Sequence, residues 1–416
     1  MSLSREVPYV HVRGQTSEYE VADVFREYWD AYRAQHPVTA EQAKVARAIR
    51  ACRTAALGGQ IYECLNCGAV EFAYHSCRDR HCPKCQKFER AQWVEAQKVV
   101  LLPIPYFHVV FTTDHAINSW LPANRAVIYT LLFATASAIL QQFAAQVLGG
   151  ELGITAVLHT WSQTLLHHLH LHCVVTGGAL RFDGRRWVRC APNYLFDILA
   201  VSAAFRDAFC AGLVRRAEQG QVVGVALDEV KTTVAAMQAK NWEVFAKPFA
   251  TPDVVIEYLS RYVHAVAISN YRITQIAGGQ VSFTYYDNPD GGQKKTLTLT
   301  ASEFLRRFWL HVLPDRFVRI RYYGLHHSAA RKTKLPQARA LLGLPPELPQ
   351  VAKLVLAVWL ESVVGEDLHR CHWCGACGTM AYRGEVGDMP KLWLWLKLLV
   401  GWLCGAVRRT PRPVAA

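Results

Sequence analysis

Apolar residues recur at three- and four-residue intervals in VADVFREYWDAYRA (21–34) and EQAKVARAIRA (41–51). That spacing gathers them on one helical face, so both segments read as amphipathic helices, the second capped by Thr39 after Pro37 and Val38. FERAQWVEAQKVVLL (88–102) reads as a helix that ends at Pro103, and residues 119–148 as one long apolar helix or two. Short runs rich in β-branched and aromatic residues predict strands at YFHVVFTT (106–113), TAVLHTW (155–161), HLHCVVTG (170–177), WVRCA (187–191) and WEVFAKPFA (242–250). Pro252 opens a helix, DVVIEYLSRYVHA (253–265). NYRITQI, a Gly278-Gly279 turn, VSFTYYD and TLTLT follow as hairpin strands, then a helix, SEFLRRFWLHVL, and a last strand, RFVRIRYYG (316–324). Strands and helices that alternate through hairpins rather than long crossovers predict an α+β fold around an antiparallel sheet.

One strand carries unusual chemistry. His167, His168, Leu169, His170, Leu171 and His172 run directly into the apolar end of the third of these strands, Cys173-Val174-Val175. Strand side chains alternate faces, so His170 and His172 point the same way, about 6–7 Å apart along the chain. Two imidazoles at that spacing can close on one metal ion and make a sheet face into a Lewis-acid site. His168 with His170 satisfies the same pattern, whereas His168 and His172, about 13 Å apart, do not share one ion. A third ligand is left open among His159, Gln163 and a residue near Tyr262. Mixed imidazole and oxygen coordination suits Mg²⁺ or Mn²⁺, with Mn²⁺ the better match for two nitrogens.

Charge and cysteine usage add a partner and a second metal. Lys and Arg total 46 against 33 Asp and Glu among 416 residues, a formal charge of +13, which favours a polyanion, nucleic acid first. The opening residues have no apolar signal segment, so a cytoplasmic, reducing setting is expected, where cysteine clusters mean metal rather than disulfides. Cys64-x-x-Cys67 and Cys82-x-x-Cys85, with fourteen residues between them, fit one tetrahedral zinc site, and Gly68 and Pro83 are the turn residues such knuckles need. Cys52, Cys77 and His81 are left over for a second zinc or for packing. Arg78, Arg80 and Lys84 interleave with these ligands as nucleic-acid contacts, whereas Lys87 and Arg90 read as a solvated surface. Cys371-His-Trp-Cys374-Gly-Ala-Cys377 is half a site that would need His369 or His372. The Trp- and Leu-rich stretch 392–407 contains Lys397 and is shorter than the roughly 20 residues of a spanning helix. It reads as a packing or interfacial helix, with membrane contact the lesser alternative.

Tyr258 and Tyr262 stand four apart on the helix after Pro252, on one face, with Arg261 beside them. A phenol is a weak nucleophile at its ordinary pKa near 10, so a neighbouring metal would have to assist its attack on a phosphate. Arg319 and Arg321, beside Tyr322 and Tyr323 and ahead of Arg331, Lys332 and Lys334, form the basic and aromatic mixture that tracks single-stranded DNA.

These stretches together resemble the HUH-superfamily two-tyrosine transposases of the insertion-sequence ninety-one family. The matching segments are CRTAALGG (52–59), SCRDRHCPKCQ (76–86), PYFHVVFT (105–112), VLHTWSQ (157–163), HLHC (170–173), FAKPFA (245–250), YLSRYVHAVAISNYRI (258–273) and VRIRYYG (318–324). The chain departs from the family pattern at Gln60, Leu169, Ala265 and Leu325–Ser328. The resemblance implies an N-terminal zinc domain, a Rep-like nuclease core with a central antiparallel sheet, metal-binding His170 and His172, and catalytic Tyr258 and Tyr262. It implies rolling-circle transposition through single-stranded DNA, acting on element ends and target DNA with no small-molecule substrate. The expected division is a helical segment (1–50), a zinc module (51–100), a catalytic domain (101–345) and a helical tail with half a zinc knuckle (346–416). A relaxase or replication initiator would share the chemistry. A non-catalytic zinc-dependent DNA-binding regulator would explain the charge and cysteines but not the paired histidines and tyrosines.

Overall fold

A computed structural model describes residues 10–12 and 17–386, apart from 194, 261, 264, 288–289, 352–353, 356–357, 360, 363–366 and 368. The expected helix at 392–407 and Arg261 therefore lie outside the described residues. The chain forms two compact units: one takes residues 1–88, 269–281 and 353–416, the other residues 89–268 and 282–352. The first unit thus draws on stretches from all four of the segments expected from the sequence.

The larger unit is built on a five-stranded sheet in the order Val244–Phe249, Tyr106–Thr112, His167–Thr176, Gly153–Trp161, Ile320–Gly324. All four pairings are antiparallel. Period-two alternation gives the sheet two different faces. Phe107, Val109, Phe111, Leu169, Leu171, Cys173, Ile154, Ala156 and Leu158 all point to one side, where they are buried against two helices, Leu121–Leu148 and Ile198–Glu218. The first of these joins two helical stretches across a kink at Asn124 (φ −122°, ψ 17°). It is long and apolar enough to cross a membrane, yet Ile128, Leu132, Phe133, Ala136 and Leu140 are core residues here. A helix that is apolar on most sides is what a position between a sheet and a second helix requires. The second helix and its neighbour, Leu227–Gln238, were not anticipated from the sequence pattern.

On the other sheet face, Tyr106, Val157 and Val174 join Val255, Ile256 and Val263 in a separate apolar cluster. That cluster seats the helix Pro252–Ser260 across the strands. The expected helix through Ala265 stops earlier. Tyr262 lies in a turn, its carbonyl oxygen accepting from the Ala265 amide (3.3 Å) and from His159 Nε2 (2.8 Å). The Gly278-Gly279 turn forms as expected, both glycines adopting positive φ (58° and 75°) between the strands Ile273–Ala277 and Gln280–Asp287.

The smaller unit holds the helices Val21–Gln35 and Ala40–Ala51 and a four-stranded sheet in the order Val10–Val12, Val70–Tyr74, Gly59–Cys64, Met380–Glu385. Thr39 caps the second helix as expected, its side chain accepting from Gln42 N (3.2 Å).

His326 follows the last strand of the five-stranded sheet and is buried, its Nδ1 2.9 Å from Thr155 Oγ1. Burial pushes its pKa down to about 3, helped by the nearby Arg331 charge. In the unfolded chain an imidazole takes its proton near pH 6.5. Between those values the unfolded state binds more protons, so stability is lost as pH falls from about 6.5 toward 3. His326→Gln should therefore flatten the acid limb of thermal stability between pH 6.5 and 4. An unchanged limb in the variant would contradict this assignment.

Candidate active site and cysteine clusters

Cross-strand register assembles the centre of the larger unit. His159 lies directly opposite His170, and Val157 opposite His172, so the imidazoles of His159, His170 and His172 share the face that carries the Pro252–Ser260 helix. One nitrogen from each of the three falls within 4.8 Å of the others. Ring centroids are 4.6 Å apart for His159 and His172, and 4.8 Å for His170 and His172. Of the candidates for a third member, the structure brings in His159. His168 instead pairs with His115 (Nδ1 to Nε2, 3.2 Å) at the edge of the set.

Each imidazole has one nitrogen occupied. His170 Nδ1 donates to the His168 carbonyl (2.7 Å), His159 Nε2 donates to the Tyr262 carbonyl (2.8 Å), and His172 Nδ1 lies 2.8 Å from His108 Nε2. The opposite nitrogen of His172 is buried with no hydrogen-bond partner among the described residues. Burial pushes His170 down to about pKa 4, and drives His159 and His172 well below the ordinary range, with the neighbouring imidazoles adding repulsion. Three neutral imidazoles, each oriented through its second nitrogen and one with an orphaned buried lone pair, fit a divalent metal ion.

His108 was missed in the sequence. It occupies the strand Tyr106–Thr112 opposite Val174, on the same face as the other three. Its parity was readable once that face was known, but a single histidine among apolar residues gave no motif. It lies between the metal-ligand candidates and the tyrosines, with ring centroids 5.0 Å from His172, 5.0 Å from Tyr258 and 6.0 Å from Tyr262. Burial holds it neutral, at about pKa 4.

Tyr258 and Tyr262 reach this centre together. The Tyr262 hydroxyl donates to the Tyr258 hydroxyl (2.9 Å), and the Tyr262 ring stacks on His172 at 4.2 Å. Arg319 is buried and donates from Nη1 to the Ala265 carbonyl (2.8 Å), which ties down the turn after Tyr262. It acts on the backbone of that turn, not as the surface contact expected. Arg321 is also corrected. Strand alternation puts it on the opposite sheet face, where its guanidinium covers Phe133 (4.3 Å) and Phe317 (5.1 Å).

The smaller unit regroups the cysteines. Cys64 and Cys67 do not join Cys82 and Cys85 in one site. Cys52, Cys77, Cys82 and Cys85 converge, their sulfurs within 4.8 Å of one another, with Cys52 3.4 Å and Cys77 3.6 Å from Cys85. Cys52 stands at the end of the helix Ala40–Ala51, and the Arg53 amide bound to the His75 carbonyl (3.0 Å) brings the Cys77 loop to it. Cys64 ends a strand whose edge partner is Met380–Glu385, so its knuckle meets Cys371 and Cys374 instead. Spacing along the chain could not reveal that partner. His81 is outside both sets and binds Asp79 Oδ1 through its amide (2.8 Å) and Nδ1 (2.9 Å). Among the interleaved cations Arg78 is exposed and Arg80 half-buried. Lys84 is withdrawn from that role, because its Nζ forms an ion pair with Glu20 (2.6 Å) in which both side chains are nearly buried.

Comparison with known proteins identifies relatives of the chain. A family model described as "Putative transposase" matches residues 153–334, and one described as "Transposase zinc-binding domain" matches residues 24–113. The chain is 43% identical over 389 residues to "Putative transposase y4qJ" of Sinorhizobium fredii, covering 90% of this chain and 98% of that relative. It is 27% identical over 360 residues to "Transposase for insertion sequence element IS801" of Pseudomonas savastanoi pv. phaseolicola, covering 82% of each. No solved structure gives a significant match.

Removing one partner of a buried ion pair strands the other charge and costs roughly 3–5 kcal/mol. Lys84→Ala should therefore destabilise the protein by about that amount in chemical denaturation, and Glu20→Ala similarly. The double variant should fall well short of the sum. Full additivity would contradict the pairing.

Proposed function

This chain belongs to the IS91-type transposase family, with its zinc-binding domain and two-tyrosine transposase domain, and from that premise we propose that it nicks and rejoins single-stranded DNA through a covalent 5′-phosphotyrosine. The observation that carries the reading is the pair of phenols, 2.9 Å apart, lying against three convergent neutral imidazoles. His159, His170 and His172 would hold the divalent ion, and three nitrogen donors favour Mn²⁺ over Mg²⁺. When bound, that ion supplies charge stabilisation to the non-bridging phosphate oxygens.

The side chains divide the remaining work. One tyrosine oxygen attacks phosphorus and loses its proton, while the bond from phosphorus to the 3′ oxygen breaks and that oxygen leaves as a hydroxyl. The new phosphotyrosine ester retains the energy of the cleaved bond, so a 3′ hydroxyl can later attack it and free the tyrosine without a nucleotide cofactor. A hydrogen bond between the phenols lets either one stabilise negative charge growing on the other. The Tyr262 carbonyl bonded to His159 and the Ala265 carbonyl bonded to Arg319 fix the turn, so the nucleophile is positioned before DNA arrives. Arg78 on the zinc-bearing unit is the exposed cation best suited to the DNA backbone.

Incubation with single-stranded element ends and Mn²⁺ should give a protein–DNA adduct that survives denaturation, with peptide mapping locating it at Tyr258 or Tyr262. The Tyr258→Phe/Tyr262→Phe double variant should give none above background, and an adduct of wild-type yield from it would refute the assignment. His108→Phe should weaken Mn²⁺ binding about 10–100-fold, as loss of an orienting partner does. His172→Ala should weaken it further. Electron paramagnetic resonance of free Mn²⁺ reads both, and unchanged affinity in both variants would rule out the histidine site.

A further inference from the structure

We propose that Cys64, Cys67, Cys371 and Cys374 form a second structural zinc site, assembled from two half-sites more than 300 residues apart, whose ion clasps the C-terminal segment onto the N-terminal strand. Half of its ligands lie beyond both family matches.

The two halves are copies of one local structure. Each reads Cys-x-x-Cys-Gly-Ala: Cys64-Leu-Asn-Cys67-Gly68-Ala69 and Cys371-His-Trp-Cys374-Gly375-Ala376. In the first, the Gly68 amide donates to the Cys64 carbonyl (2.8 Å) and the Cys64 amide to the Ala69 carbonyl (2.8 Å). In the second, the Gly375 amide donates to the Cys371 carbonyl and the Cys371 amide to the Ala376 carbonyl, both at 2.9 Å. Gly68 and Gly375 share φ 74°, a left-handed conformation that a side chain would oppose. The sulfurs are treated alike too. Cys64 Sγ accepts from the amides of Asn66 and Cys67, and Cys371 Sγ from those of Trp373 and Cys374. Cys67 and Cys374 accept from the alanine two residues on. Amide donors on both knuckles orient the sulfurs in the same way.

Distances between the halves suit zinc. Cys64 to Cys374 and Cys67 to Cys371 are both 3.7 Å. Tetrahedral sulfurs about 2.3 Å from a zinc ion stand about 3.8 Å apart, whereas a disulfide needs about 2.05 Å. Four sulfur donors fill the tetrahedron and leave no open position, which marks a structural site. Neighbours complete the setting: Asn66 Nδ2 donates to Cys374 Sγ (3.4 Å), and Thr379 Oγ1 lies 3.3 Å from Cys64 Sγ.

The segment needs such a clasp. Met380–Glu385 pairs with Gly59–Cys64, Met380 opposite Cys64, and among the described residues the buried cluster beneath is small: Cys64, Ala69, Cys371 and Met380, with Tyr62, Cys67 and Trp373 packed against it. A bound zinc would add its binding free energy to that small core.

Two experiments on the full-length protein test the site. In zinc-loaded wild type, alkylation followed by mass spectrometry should find Cys374 protected and Cys377 reactive, although both are exposed. Chelation should make Cys374 react like Cys377, and equal reaction of the two in the zinc-loaded protein would overturn the proposal. After cobalt substitution, the sulfur-to-cobalt charge-transfer band ignores any histidine-bound ion. Cys64→Ser/Cys67→Ser, Cys371→Ser/Cys374→Ser and the quadruple variant should each lose the same half of the wild-type intensity. Additive losses, or no loss from Cys371→Ser/Cys374→Ser, would show that the knuckles do not share one ion.

Discussion

Everything at the candidate active site depends on the antiparallel register between Gly153–Trp161 and His167–Thr176. Pairing His159 with His170 sends three imidazoles to one face and sends Leu158, Leu169 and Leu171 into the core beneath the long apolar helix. A slip of one residue would exchange those faces, burying the imidazoles in hydrocarbon and exposing the leucines. The hydrophobic core therefore holds the register, and the register holds the site. Function and stability are coupled through one alternation.

The same face explains why the tyrosines are where they are. Val255, Ile256 and Val263 bury the helix side, while the Tyr262 carbonyl is drawn to His159. That bond serves both partners, holding the turn that carries the second phenol and fixing the tautomer of His159. His108 has a comparable role toward His172 from the neighbouring strand. The result is a centre in which backbone carbonyls and imidazoles, rather than carboxylates, orient the candidate metal ligands.

Much of this was legible in the chain. The alternation in HLHCVVTG predicted which histidines share a face, whereas the i, i+4 tyrosines do meet, but with Tyr262 in a turn beyond the helix and not on a shared helical side. What was not legible depended on partners distant in sequence. His108 has no local signal, because its meaning comes only from being opposite Val174. Cys64 and Cys67 had an apparent partner fourteen residues on, in Cys82 and Cys85, and only strand pairing with Met380–Glu385 redirects them to Cys371 and Cys374. Arg321 and Lys84 looked like free cations because charge alone does not tell which face a strand residue takes or whether a buried glutamate awaits it. The helix Ile198–Glu218 is apolar on most sides, so it lacked the one-sided periodicity by which a surface helix is recognised.

The central claim is spatial: a divalent ion held by His159, His170 and His172 lies beside both phenols. With 3-fluorotyrosine placed singly at Tyr258 or Tyr262, Mn²⁺ should broaden the fluorine resonance strongly at each position, and His170→Ala/His172→Ala should abolish the effect. Sharp, unshifted resonances at both positions with Mn²⁺ bound would contradict the account.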